Sequence, residues 1–186
     1  MTVDFQRVRR ILRAAAERRL VPRGDDDLPF IAGAAAAGAS LLLDTCVYID
    51  RAQGRIPPIV RDTIAVRTVT HSSVALQELL FTVGRLDPND PRSATAVTAI
   101  EAMVRAMPSH RLFTPSVDVL AAASVYAGIL SRSQGYAKDD RRRAVNDCAL
   151  FLQAHKLGLT VLTRNVRDFD LLLQLVPNGR VLLYSA

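Results

Sequence analysis

From residue 39 onward the chain alternates short apolar runs with longer stretches of helical spacing. SLLLDT over 40–45 is a continuous apolar run closed by a carboxylate, the pattern of a strand buried on both faces, with Asp44 at its C-terminal end. Residues 67–70 give a second strand. Ser72 and Ser73 then cap a helix that carries Val74, Leu76, Leu79, Leu80 and Val83 on its apolar side and closes at Gly84. After the turn Asp87-Pro88-Asn89-Asp90-Pro91, residues 93–106 have helical spacing. RLFTPS gives a third short strand, and its Ser116 can cap an Ala-rich helix over 117–131. The stretch SRSQGYAKDDRRR reads as a polar, basic loop. A helix from about 145 to 157 stops at Gly158 and hands over to the strand LTVLT. A short helical segment over 168–173 and the turn Pro177-Asn178-Gly179 precede a last strand, RVLLY.

Short strands alternating with helices imply right-handed crossovers and a parallel sheet covered on both faces. The expected fold class is therefore α/β, a three-layer α/β/α sandwich over residues 39–186, preceded by an extension over 1–38. In that extension Val3, Val8, Ile11, Leu12 and Ala15 recur near helical spacing among Arg7, Arg9, Arg10, Arg13, Arg18 and Arg19, which predicts an amphipathic basic helix. Such a helix serves either packing on the core or a docking or nucleic-acid role. The acidic turn Gly24-Asp25-Asp26-Asp27 and the low-complexity stretch IAGAAAAGAS follow it.

Charge adds a partner class to this picture. The 186 residues carry a formal net charge of +6, and Lys occurs only at Lys138 and Lys156, so the positive charge is almost all arginine. Arginine presents a planar fork of donors that grips phosphate in two places, although a modest basic excess is also common in proteins that never touch nucleic acid. The two cysteines, Cys46 and Cys148, make neither a disulfide framework nor a Cys-rich zinc site, which fits a reducing cytoplasm. No apolar run approaches the roughly 18–20 residues needed to cross a bilayer. No membrane association is expected.

Open parallel sheets bind ligands beyond the C-terminal ends of their strands, and the polar residues that fall there are acidic. Asp44 ends the first strand, Glu78 lies between apolar neighbours on the first long helix, Asp147 precedes the apolar run Cys148-Ala149-Leu150-Phe151-Leu152, and Asn165 and Asp168 follow LTVLT. Clustered, half-buried carboxylates repel one another unless a cation neutralises them, and oxygen-only ligands select Mg²⁺ or Mn²⁺ over zinc. Mg²⁺ accepts one or two carboxylates and keeps several waters, the arrangement that hydrolyses phosphodiesters. Each acid also has a plainer use: Asp44 as a helix cap or turn former, Asp147 near a helix start, Glu78 paired with an arginine, Asp168 as a cap. His71, His110 and His155 show no ligand spacing.

SLLLDTCVYID, SSVALQELLFTVGRL and NDCALFLQAHKLGLTVLTRNVRDFD resemble the three motif regions of the PIN-domain family, over roughly residues 40–184. Within it, the Ser-Ser-x-x-x-x-Glu-Leu helix and the Thr-Arg-Asn-x-x-Asp-Phe ending are most similar to VapC-type toxins of type II toxin–antitoxin systems. The resemblance implies that Asp44, Glu78 and Asp147 are catalytic acids, with Asp44 and Asp147 the direct ligands of Mg²⁺ and Glu78 orienting a water or supporting the ligands from behind. The family's fourth acid often lies two residues after Thr163, where this chain has Asn165; Asp168 either replaces it or only caps a helix. Thr45 and Thr163 are expected to give hydroxyls to the site, and Cys46 to be a small packed residue rather than a nucleophile. The basic residues over 138–143 serve either as an RNA-backbone contact or as a solvated loop.

The function this implies is an Mg²⁺-dependent endoribonuclease, cytoplasmic, homodimeric and inhibited by a cognate antitoxin. With ten aromatic residues and no Trp, recognition would depend on RNA shape more than on base stacking. The alternative is a catalytically weak RNA-binding or assembly module whose metal site is impaired by Asn165. A nucleotide-binding protein is remote, because no Gly-rich phosphate loop follows SLLLDT.

Overall fold

The leucine run Leu41–Leu43 forms β1, and its alternating side chains divide the interior in two. Leu42 enters one apolar cluster with Val161, Val181 and Leu183, whereas Leu41 and Leu43 enter the other with Leu162 and Leu182. A computed structural model of the protein describes residues 3–34 and 37–185. Ala35 and Ala36, within the low-complexity stretch, lie outside the described residues.

Five parallel strands make one sheet in the order β3-β2-β1-β4-β5, with β2 at Val69–Ser72, β3 at Leu112–Phe113, β4 at Thr160–Thr163 and β5 at Val181–Leu183. β1 is central. It pairs with β2 through Leu41↔Val69 and with β4 through Leu43↔Leu162. The chain leaves β1 toward one edge and later returns to its other side. That reversal opens a crevice at the C-terminal end of β1, the usual ligand position in such sheets.

Helices α2 (Thr45–Ala52), α3 (Pro58–Val66), α4 (Ser73–Gly84) and α5 (Pro91–Arg105) connect β1 to β3; α6 (Val117–Gln134), α7 (Lys138–Leu157) and α8 (Val166–Leu175) complete the chain to β5. Both faces of the sheet are covered, as the sandwich pattern predicts. The extension also contributes. Its helix α1 (Phe5–Ala16) packs on α6 with Ile11 buried, and Phe30 bridges Leu183 beyond the β5 edge.

Two sequence expectations change. The segment 131–143 is not a basic loop. Helix α6 runs on to Gln134, Gly135 ends it with a left-handed φ of 63°, and α7 already begins at Lys138. Charge density resembles a loop, but arginine is a good helix former and Asp139 and Asp140 complement the dipole of the first turn. Asp147 therefore lies inside α7 rather than at its start. The sequence pattern also passed over α2 and α3, whose buried apolar positions (Val47 and Tyr48, then Val60) are too sparse to form a periodic stripe.

Close packing against α7 produces a stability test. A Cβ at Gly179 would come within 2.2 Å of the ring of Phe151, which is buried edge-on against Phe169. Gly179→Ala is expected to cost about 1–3 kcal/mol through overpacking, read as a lowered urea midpoint with an unchanged m-value.

Candidate active site

Four acids from four separate elements meet at the crevice. Asp44 terminates β1 and caps α2, its Oδ1 accepting the Thr45 backbone N–H at 2.6 Å. Glu78 projects from α4, Asp147 from α7, and Asp168 from the first turn of α8. The plain capping use of Asp44 and its place in the cluster coexist, because the other oxygen, Oδ2, is taken by the Thr163 hydroxyl at 2.6 Å from the end of β4.

The acids are joined through neutral donors. Thr45 Oγ1 donates to Glu78 Oε2 at 2.5 Å, and Asn146 Nδ2 donates to Glu78 Oε1 at 2.8 Å. Asn165, the N-cap of α8, uses its Nδ2 to reach Asp147 Oδ2 and Asp168 Oδ2, each at 3.0 Å. The Asn165 backbone N–H in turn donates to Thr163 Oγ1 at 2.9 Å, closing the path back to Asp44. Tyr136 donates its hydroxyl to Asp168 Oδ1. Asn165 thus stands between two acids, and Asp168 shares an amide group with Asp147.

Burial and mutual repulsion dominate the electrostatics. Asp44 is 5% exposed and Asp147 8%. Burial pushes the Asp147 carboxyl well above the usual range, and the charges of Asp44, Asp168 and Glu78 push it further, against the lowering charge of Arg143. Burial likewise raises Asp44 against the lowering effect of Thr163, Cys46, Thr45 and Arg164, and raises Glu78 against Thr45 and Asn146. Among the described residues, none of the ion pairs includes Asp44, Glu78, Asp147 or Asp168.

Such a donor set suits a hard divalent cation, being built of oxygen atoms with a charge deficit that no side chain fills. Among the described residues no three of His, Cys, Asp and Glu form a ready ion cage; each carboxylate is turned to a hydroxyl or amide instead. Mg²⁺ asks for only one or two carboxylates, so the fit stands on Asp44 and Asp147, the two most buried.

Cys46 is half-buried with its Sγ 3.1 Å from Asp44 Oδ2, and burial together with that carboxylate pushes the thiol up, so it remains protonated and is no nucleophile. His71 has its Nδ1 2.7 Å from the Tyr48 hydroxyl in the interior. Sequence reasoning missed Asn146 and Tyr136. Asn146 adjoins Asp147 and was open to discovery; Tyr136 was hidden in the supposed loop.

No family model matches the chain, and no curated protein matches it in sequence. Solved structures do. A chain of VapBC2 from Rickettsia felis bound to a DNA fragment from their promoter superposes with a TM-score of 0.54 at 13% identity, over 78% of this chain and 98% of that one. A chain of DNA-bound VapBC from Salmonella typhimurium gives 0.53 at 18%, over 77% and 97%. VapBC-5 from Mycobacterium tuberculosis, a member of the VapBC family of toxin-antitoxin systems, gives 0.51 at 19%, over 79% and 100%. These similarities show a shared fold that spans nearly the whole of each neighbour.

The repulsion around Asp147 has a thermodynamic consequence. A carboxyl whose folded-state pKa is raised destabilises the fold once it ionises, so the cost is absent at low pH and grows as pH rises. In EDTA at neutral pH, Asp147→Asn is expected to raise Tm by about 2–4 °C for each kcal/mol relieved, with the gain shrinking toward pH 4. Thermal melts across pH check this, and an Asn variant that melts lower than wild type at neutral pH would refute the repulsion.

Proposed function

We propose that this protein is an Mg²⁺-dependent endoribonuclease that hydrolyses RNA phosphodiester bonds, acting as a homodimeric toxin held in check by an antitoxin protein. The observation that carries the reading is the carboxylate cluster: Asp147 is pushed up by three acids at once, in a chain of net charge +6, and among the described residues none of the ion pairs reaches the four acids. A structural ion-pair network would have filled that deficit with a cation from its own side chains. The toxin–antitoxin role is supported by the fold shared with chains of VapBC complexes, together with the motif resemblance.

In this reading Asp44 and Asp147 hold the metal, which when bound supplies charge stabilisation at the phosphate and a water of lowered pKa. The chain supplies position. Thr163 fixes the rotamer of Asp44, and Asn165 fixes Asp147 and Asp168 together. Glu78, held by Thr45 and Asn146 and raised by burial, would orient the attacking water and accept its proton. Asp168, tied by Tyr136 and Asn165, supplies the fourth negative charge of the site in place of the acid absent at Asn165.

One observation favours the catalytically weak RNA-binding alternative. Asn165 Nδ2 already donates to two of the carboxylates, doing with an amide part of what a second cation would do. Purified protein incubated with RNA decides between the two. Wild type is expected to cleave with added Mg²⁺ or Mn²⁺ and to stop in EDTA, with Asp44→Asn and Asp147→Asn each reducing the rate by at least about 10²-fold, as expected when charge stabilisation at the reacting phosphate is lost. Wild-type protein that binds RNA but leaves it intact at every divalent concentration would favour the weak module.

A further inference from the structure

Asp50 lies in α2, and its side chain is wholly enclosed. Three donors converge on it: Arg55 at 2.9 Å, Arg164 through Nε at 2.9 Å and the Tyr184 hydroxyl at 2.9 Å. A buried carboxylate needs a partner, but one arginine and a tyrosine hydroxyl already balance it. The second arginine gives the group a net positive charge. That surplus has a definite place, because Arg164 directly follows Thr163, whose hydroxyl holds Asp44, and its backbone N–H donates to Cys46 Sγ at 3.2 Å.

We propose that Arg164 binds an RNA phosphate at the rim of the carboxylate cluster, and that Asp50 is its positioning residue. This rests on the RNA reading above. Asp50 engages Nε, one of the five N–H donors of a guanidinium, and 42% of the Arg164 side chain remains open to solvent. An arginine so held offers a pre-ordered fork for phosphate, with less side-chain entropy left to lose on binding. The anchor has a second effect. Arg164 is near enough for its charge to act on Asp44, and a loose Arg164 would fold onto that carboxylate and compete with a divalent cation for it. Asp50 holds it away while leaving it within the field of the site.

Arg55 supplies the internal control. It pairs with the same buried oxygen system at the same distance and is similarly exposed at 54%, yet it sits on the loop after α2 rather than beside Thr163. Arg55→Gln and Arg164→Gln therefore remove equivalent ion pairs from Asp50. The test is binding of a short fluorescent RNA to the full chain in EDTA, by anisotropy, between about 50 and 200 mM KCl. Arg164→Gln is expected to weaken binding about 5- to 10-fold at the lowest salt and to lower the salt slope by about one phosphate contact, whereas Arg55→Gln matches wild type. Arg164→Lys keeps the slope, and Asp50→Asn shifts in the direction of Arg164→Gln. Should Arg164→Gln fold poorly, Arg164→Met carries the same test: an affinity and salt slope equal to those of wild type and Arg55→Gln would overturn the phosphate role, and an Asp50→Asn variant that binds as wild type would overturn the positioning by Asp50. If wild type binds and cleaves RNA while Arg164→Gln behaves as Arg55→Gln, that role alone falls. If wild type neither binds nor cleaves RNA, the RNA reading falls and takes the inference with it.

Discussion

The crevice at the end of β1 collects negative charge that the protein does not neutralise. Asp44 and Asp147 are nearly sealed from water, Glu78 and Asp168 stand beside them, and the donors that reach them are hydroxyls, amides, a thiol and backbone N–H groups. Neutral donors stabilise a carboxylate's orientation while leaving its charge in place. An arginine in the same position would satisfy both and leave nothing for a ligand. The preference for neutral partners is thus a constraint on everything packed around the site: Thr45, Asn146, Thr163 and Asn165 must each stand within hydrogen-bond reach of an acid.

Parallel-sheet geometry meets that constraint economically. Asp44 and Thr163 end adjacent strands in register, since Leu43 pairs with Leu162, so the hydroxyl of one falls beside the carboxylate of the other without any special loop. Helix starts add N–H groups. Thr45 opens α2 and Asn165 caps α8, which puts two helix N-termini, with their partial positive charge, against the most crowded acids. Only Glu78 and Asp147 come from helix interiors, and they arrive there because α4 and α7 pack on each other across the crevice.

How far this was legible in the sequence depended on the kind of signal. β1, β4 and β5 announced themselves as apolar runs, whereas β2, expected at 67–70, lies at Val69–Ser72, where a single valine among polar residues gives its ends no apolar mark; the acids at strand ends followed from the fold class alone, and Asp44 needed nothing more. The extent of α7 was not legible, because a run such as Asp139-Asp140-Arg141-Arg142-Arg143 carries no apolar stripe. Its helicity is set by propensity, by its first-turn acids and by Tyr136 and Ala144 anchoring the turn before and after it. Helices α2 and α3 failed for the same reason. Asp50 was invisible in another way: nothing in SLLLDTCVYID distinguishes a buried aspartate from a surface one, and its partners Arg164 and Tyr184 are more than a hundred residues distant.

Basic residues around the crevice follow a common rule of attachment. Arg142 lies 4.0 Å over the ring of Phe81, Arg167 lies 5.1 Å from the ring centre of Tyr136, and Arg164 is tied to Asp50. None is anchored on an acid of the cluster. Each has a partner that fixes its position while leaving much of its charge expressed: an aromatic face attracts a cation without cancelling it, and Asp50 is shared with Arg55. Opposite charges a few ångströms apart would otherwise collapse together, since at short range their attraction exceeds the cost of ordering a side chain when water is partly excluded. Holding arginines on separate anchors keeps an anionic centre and a cationic rim side by side. Under the proposed function a polyanion would be drawn to the rim and cleaved at the centre, and the separation this requires is what the neutral hydrogen-bond network and the anchored arginines jointly maintain.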